Sequence, residues 1–258
     1  MPSKESGLGL SAVFGLLQIP FLIRVVLLLL FSKYGLFSLL LHGRVLCVTQ
    51  KMYLCARNIG YRSMNQINSV CVYCASSTKI DQVYFEVADR LGKLLAQRHI
   101  RLVNGAGSIG LMRSVADAVL ADGGEVTGVI PRFMVEQGWH HTGLTRLIEV
   151  ESMHERKQLM ADLSDAVIAL PGGCGTLEEL LEIIAWKQLG LYLNPIVVLN
   201  VNGFFDPLLE QLKRAIDENF MRRQHGDIWH VAATPEEAVE LVHTVPVWDA
   251  SIRKFAAI

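Results

Sequence analysis

From residue 69 onward the chain alternates two hydrophobic patterns. Short, nearly unbroken apolar and β-branched runs predict strands: SVCVYCA (69–75), IRLVNG (100–105), EVTGVIP (125–131), RLIEV (146–150), DAVIALPGG (165–173), PIVVLNV (195–201) and DIWHVA (227–232). Longer segments between them predict helices over 81–98, 109–121, 152–164, 176–190, 204–220 and 234–245. In the first of these, Val83, Val87, Leu91, Leu94 and Leu95 recur at helical spacing and form one stripe. Local signals agree. Ser152 is a candidate N-cap, Gly190 a stop, Thr234-Pro235 a cap followed by proline at the first helical position, and Pro131 a strand terminator. Strand–helix alternation with apolar strands predicts one α/β domain, a doubly wound parallel sheet with helices on both faces. Ligands of such sheets sit at the carboxyl ends of the strands, near the switch in strand order.

Residues 1–68 break the pattern. They carry apolar runs (AVFGLL, FLIRVVLLLLF, LFSLLL) and seven Lys/Arg against one acid, a charge of +6. The remaining residues hold 17 Lys/Arg against 24 Asp/Glu, a charge of -7, and the first Asp of the chain is Asp81. A membrane anchor is one reading, but residues 8–31 reach spanning length only by accepting Pro20 and Arg24. A cleaved signal peptide is a second, without a clear small-residue cleavage site. The third, which the break in composition favours, is a non-native extension ahead of a compact domain starting at Met64. All three place function after residue 68, in a catalytic segment 69–245 followed by a tail, 246–258. The expected location of that core is cytoplasmic, with membrane contact only if the extension is a true anchor.

The whole chain, 258 residues with 51% hydrophobic and 19% charged, can bury a sizeable core, which excludes wholesale disorder. A net charge of -1 gives no footprint of a nucleic-acid binder. Five cysteines, an odd number, argue against a disulfide scaffold. Cys71-x-x-Cys74 lies on a predicted strand, where residues three apart face opposite sides, so both read as buried structural thiols. His140-His141 lies in a loop with no evident acid partner for a metal site, and Trp186 reads as core or subunit interface.

Two glycine-rich turns each follow a strand and precede a helix: Asn104-Gly-Ala-Gly-Ser-Ile-Gly110 and Pro171-Gly-Gly-Cys-Gly-Thr176. Such turns let backbone approach a phosphate at a helix N-terminus. The first fits G-x-G-x-x-G through Gly105, Gly107 and Gly110, yet the acid that a dinucleotide site wants is only approximated by Glu125, which begins a strand rather than ending one. Tight packing alone accounts for this turn equally well. The second adds the Thr176 hydroxyl and the acids Glu178, Glu179 and Glu182, of which an isolated helical glutamate normally faces solvent.

Together these residues resemble a known family. Pro171-Gly-Gly-Cys-Gly-Thr-Leu-Glu-Glu179 is similar to the P-G-G-x-G-T-x-x-E signature of the LOG family, whose members are cytokinin riboside 5′-monophosphate phosphoribohydrolases formerly labelled lysine decarboxylases. Val103–Met112 resembles that family's Y-G-G-G-x-x-G-L-M-G segment, and Met153-His-Glu-Arg-Lys157 its M-H-x-R-K segment. The resemblance runs from about Ser69 to Val245. It implies a Rossmann-like fold and hydrolysis of the N-glycosidic bond of nucleoside 5′-monophosphates, with no cofactor and no metal. It also implies a homodimer, for which Ile183, Ile184, Trp186 and Leu189 offer apolar surface. Carried over by position, Arg156 and Glu179 form the catalytic pair. Gly172, Gly173, Gly175 and Thr176 hold the phosphate, Lys157 helps bind the nucleotide, Met153 lines the base pocket, and Gly105 and Gly107 approach the substrate.

The chain departs from the pattern at Asn104 (for Tyr), Ala106 (for Gly) and Arg113 (for Gly). An alanine at 106 adds a methyl group and calls for an ordinary φ. These departures support a second reading, a nucleotide-binding or carrier module of the same fold without turnover. A pyridoxal-dependent decarboxylase would need a Schiff-base lysine, for which Lys157 is the only candidate inside a motif.

Overall fold

A computed structural model describes residues 65–255; the anchor, signal-peptide and extension readings fall on residues outside that range. The elements in order are β1 (Ser69–Tyr73), α1 (Gln82–Gln97), β2 (Arg101–Asn104), α2 (Gly110–Ala121), β3 (Val126–Pro131), α3 (Arg132–Glu136), β4 (Arg146–Val150), α4 (Met153–Asp162), β5 (Ala166–Ala169), α5 (Cys174–Gln188), β6 (Ile196–Leu199), α6 (Asp206–Asp217), β7 (His230–Ala232) and α7 (Pro235–Thr244). The seven strands form one parallel sheet in the order β4-β3-β2-β1-β5-β6-β7. The chain winds outward from β1 to β4, returns beside β1 at β5 and winds outward again. The strand order therefore switches between β1 and β5, where an open α/β sheet leaves a crevice.

The alternation of side chains along each strand builds two cores. Val70, Val72, Leu102, Ala166, Ile168, Val197 and Leu199 pack with α1, α2 and α7 through Leu91, Leu95, Val115, Val119 and Val239. Cys71, Tyr73, Val103, Val167, Ala169, Ile196 and Val198 pack on the other face with α4, α5 and α6 through Met160, Leu180, Ile183, Ile184 and Leu212. Each fully buried aliphatic side chain is worth about 1.5–3 kcal/mol of transfer free energy, so neither face can be left bare. This is the Rossmann-like doubly wound sheet expected from the alternation.

Element ends follow the expected signals. Ser152 Oγ accepts from Glu155 N at 3.1 Å, Thr234 Oγ1 accepts from Glu237 N at 3.2 Å with Pro235 next, and Gly190 adopts φ +67 after α5. Before β1, Asn65 is tied to α7. Its N donates to His243 O at 2.8 Å, and its Nδ2 donates to the carbonyls of Val242 (3.1 Å) and Val245 (2.6 Å).

Four expectations change. Arg132–Glu136 forms a helical turn after Pro131 that no periodicity announces. α5 starts at Cys174, two residues early, because Gly173 occupies the N-cap position. The C-terminal residues are not a free tail: Trp248 N donates to Leu193 O at 2.9 Å, Arg253 Nη2 to Gly190 O at 3.0 Å, and Ile252 is buried. Finally, Ile183 and Ile184 belong to the monomer's own core, so the apolar surface that α5 leaves outside is Leu181 and Leu189, with Trp186 partly buried. Among the described residues no helix is long and apolar enough to cross a membrane.

Candidate active site

The two glycine-rich turns follow β2 and β5, on either side of β1, and the residue Ala75 after β1 links their surroundings. Ala75 N donates to Pro171 O at 3.3 Å, while Leu111 N donates to Ala75 O at 2.9 Å. Gly110 must be glycine. Its φ is +66, and a Cβ there would run into the Ser76 backbone.

The first turn is closed by its own side chains. Asn104 is buried; its Oδ1 accepts from Ala106 N at 2.9 Å and its Nδ2 donates to Met112 O at 3.2 Å. That turn holds Ala106 at φ +58, so the expected ordinary φ is not adopted; the side-chain bond two residues away stabilises the left-handed geometry that glycine would take freely. The Ala106 methyl packs where Gly128 leaves room. Gly105 receives Arg156: its carbonyl accepts from Nη2 at 2.9 Å, and any Cβ on it would overlap that guanidinium. Gly107 bridges to His140, and Ser108 N donates to Trp139 O at 2.9 Å. His141 does have an acid partner after all, Asp117, at 2.7 Å from Nε2, with Arg113 Nε 3.0 Å from the same carboxylate. Among the described residues no three His, Cys, Asp or Glu side chains cluster to hold a metal ion.

The second turn is open. Gly172 packs on the buried Thr176, where a Cβ would collide with Oγ1, but a Cβ on Gly173 or Gly175 would meet nothing. α5 has no side-chain cap, so the N–H groups of its first turn have no side-chain partner, and its first residues, Cys174 and Gly175, are exposed at the positive end of the helix dipole. Cys174, the first residue of α5, is exposed here as a free thiol.

α4 brings the remaining groups. Arg156 is buried at 5% exposure; besides Gly105 O, its Nε donates to Val129 O at 3.1 Å, and Nη1 lies 3.8 Å from Met153 Sδ. The guanidinium is thus fixed between the turn after β2 and the middle of β3. Met153 is 40% exposed beside it. Glu179, partly buried on α5, has its carboxyl pushed up to about 7. Burial is the main cause, opposed by Arg156 and Lys157 and assisted by Glu178 and Glu182. At neutral pH it is therefore poised between acid and carboxylate. Cys71, Cys74 and Tyr73, in and just after β1, lie in its electrostatic range with their own pKa values raised chiefly by burial, so they stay neutral.

Lys157 lies elsewhere than expected of a free phosphate ligand. Its ammonium is paired with Glu178 and, at 3.0 Å, with Glu182; the lysine side chain is only 8% exposed. Burial opposes its charge, but the two carboxylates outweigh this and raise its pKa. A Schiff-base lysine needs the opposite shift. Glu182 is thus paired rather than solely solvated. Glu178, Glu182 and the buried Asn104 thus join the candidate site through Lys157 and the first turn; of these, only the i, i+4 spacing of the two acids is visible in the sequence.

The family profile described as "Possible lysine decarboxylase" matches residues 112–242. The chain is 45% identical over 176 residues to "Probable cytokinin riboside 5'-monophosphate phosphoribohydrolase LOGL2" of Oryza sativa subsp. japonica, covering 68% of this chain and 72% of that protein. It is 42% identical over 191 residues to "Cytokinin riboside 5'-monophosphate phosphoribohydrolase LOG5" of Arabidopsis thaliana, covering 74% and 84%. The chain belongs to the LOG family. The LOG profile begins inside α2 and ends inside α7, so it contains the open turn, Arg156 and Glu179 but not the closed turn. Among solved structures, the molybdenum cofactor carrier protein of Chlamydomonas reinhardtii superposes with a TM-score of 0.52 at 22% identity, covering 67% of this chain and 94% of that one, a likeness of fold alone.

Proposed function

We propose that this LOG-family chain is a phosphoribohydrolase that cleaves the N-glycosidic bond of nucleoside 5′-monophosphates, AMP or a cytokinin riboside 5′-monophosphate, to free base and ribose 5-phosphate. The observation that carries this reading is Glu179, titrating near 7 on the helix whose uncapped N-terminus opens beside it, in the field of a fixed Arg156. The phosphate sits on the N–H groups around Gly173, Gly175 and Thr176, with Gly172 seating Thr176 beneath. Gly105 carries the Arg156 contact, Gly107 shapes the adjoining wall, and Met153 lines the base side.

The C1′–N bond breaks and its electron pair leaves with the base, which takes a proton from solvent. The electron-poor ribose faces the Glu179 carboxylate, which stabilises the cation and accepts a proton from the water that bonds to C1′. Arg156 stays charged and orients oxygens rather than donating a proton. No residue step requires a cofactor or metal. Two chains pair through apolar surface that includes Leu181 and Leu189, and 69–245 is the catalytic segment, acting in the cytoplasm.

Base release measured by chromatography across AMP, adenosine, GMP and an N6-prenylated AMP tests the reading. Release from a monophosphate with little from adenosine is expected. Affinity for the nucleotides without any product would instead make the chain a binding module.

A further inference from the structure

Four charged side chains act on Glu179, two of each sign. Arg156 and Lys157, consecutive on α4, are positive; Glu178 and Glu182, on α5, are negative. Arg156 turns inward to the carbonyls of Gly105 and Val129, whereas Lys157 turns toward α5 and is gripped by both acids. Glu178 and Glu182 are four residues apart, one turn of the helix, so their carboxylates reach one ammonium together. The grip is uneven in exposure: the Lys157 side chain is 8% exposed, but Glu178 is 55% and Glu182 25%. A lysine taken that far out of water requires close anionic partners, and here it has two.

We infer that Lys157, clamped by Glu178 and Glu182, is a positioning residue that acts through charge balance to set the protonation of Glu179. The inference rests on the reading of Glu179 as the catalytic carboxylate. The three neutral groups facing Glu179 from β1 and its end, Cys71, Tyr73 and Cys74, contribute no compensating charge. Burial lifts Glu179 toward neutrality while Arg156 and Lys157 oppose it and Glu178 and Glu182 assist it, so the loss of any one charge moves it with a definite sign. Removing Glu178 or Glu182 leaves an excess of positive charge and lowers the Glu179 pKa. Removing Lys157 leaves an excess of negative charge and raises it. Removing Lys157 together with Glu178 restores the balance. In this role Glu178 is not a dispensable neighbour of Glu179, and Lys157 is not a free cation for the phosphate.

The experiment is a titration of the full-length chain labelled with ¹³C at the glutamate carboxyls. The Glu179 resonance is assigned by its loss in Glu179→Gln and followed from pH 5 to 9 without substrate. Glu178→Gln and Glu182→Gln are each expected to lower the Glu179 midpoint by about half to one pH unit, and Lys157→Met to raise it by a similar amount. Lys157→Met/Glu178→Gln is expected to return it to within about 0.3 unit of wild type. The acid limb of AMP base release should move in the same directions, while KM for AMP above the limb changes by less than about threefold. Midpoints that stay fixed, or that move the same way in Lys157→Met and Glu178→Gln, overturn the inference. So does a rise in KM of about tenfold or more in Lys157→Met with an unmoved limb, which would make Lys157 a nucleotide ligand. Midpoints that move as expected in a wild-type chain that releases no base would instead sink the hydrolase reading and leave the charge balance standing.

Discussion

The two glycine-rich turns have the same sequence grammar and opposite uses. In the turn after β2, the space that the glycines vacate is filled by the protein: the Arg156 guanidinium lies against Gly105, and the Ser76 backbone against Gly110. In the turn after β5, Gly173 and Gly175 border nothing, ahead of a helix with no side-chain cap. A glycine-rich turn before a helix is thus one motif for two physical demands, close packing of the protein on itself and close approach of a ligand. Only the neighbours distinguish them. The first turn builds the wall that holds Arg156; the second leaves Gly173 and Gly175 open at an uncapped helix N-terminus, where we propose that the phosphate sits.

The sharpest test of the open turn is its neighbour Glu179, the proposed catalytic carboxylate. Glu179→Gln is expected to lose about 10²–10⁴-fold in kcat for AMP with a modest change in KM, measured by steady-state base release. The same variant has a second signature. Because the folded-state pKa of Glu179, about 7, lies above the usual 4.5, its contribution to stability is complete below pH 4.5 and is lost as pH rises through 7. Denaturant unfolding at pH 8 should therefore find Glu179→Gln more stable than wild type by about 1–3 kcal/mol, with the gap closing at pH 4.5. An equal or lower stability at pH 8 would show that the carboxylate is satisfied in the fold rather than held at a cost.

The closed turn is broken most directly at Gly105. Gly105→Ala drives a methyl group into the guanidinium, and about 1–3 kcal/mol of stability should go with the displaced Arg156, together with most of the activity. Gly173→Ala is the counterpart in the open turn. Its thermal unfolding should match wild type, while KM for AMP rises about tenfold because the methyl group enters the space proposed for the phosphate. If Gly173→Ala unfolds early and Gly105→Ala is silent, the assignment of the two turns is reversed.

The smallest expected effect is at Asn104. Asn104→Ala removes the acceptor for Ala106 N and should cost about 1–2 kcal/mol, much of it recovered when Ala106→Gly is added, since glycine adopts φ +58 without help. Failure of that rescue would locate the cost in the lost Met112 contact instead.

Much of this was legible in the chain. Unbroken β-branched runs alternating with the stripe of Val83, Val87, Leu91, Leu94 and Leu95 demand two-sided burial, and period and length leave few ways to provide it. Ser152, Thr234-Pro235 and Gly190 mark helix ends because caps and left-handed stops act within a few residues. The order of Arg156, the Pro171–Thr176 turn and Glu179 is likewise a one-dimensional fact. Other features depend on distance in space. The short helix after Pro131 has no apolar period, being an exposed turn whose five residues include none that is buried. Ile183 and Ile184 look like interface on a helix that is apolar on most sides; the second core claims them because α5 packs against β1.

What the sequence by itself determined is the class of fold, its element order, and the order and spacing of Arg156, the Pro171–Thr176 turn and Glu179, since propensity, capping and motif spacing are properties of neighbouring residues. Only the tertiary structure decided which glycines are filled and which are open, that Asn104 lets Ala106 keep a left-handed backbone, that the last residues dock beside Gly190, and that Lys157 belongs to Glu178 and Glu182. It also decided the poise of Glu179. Each of these is set by burial or by charges brought together from separate elements, and desolvation and Coulomb energy depend on surroundings that no local pattern encodes.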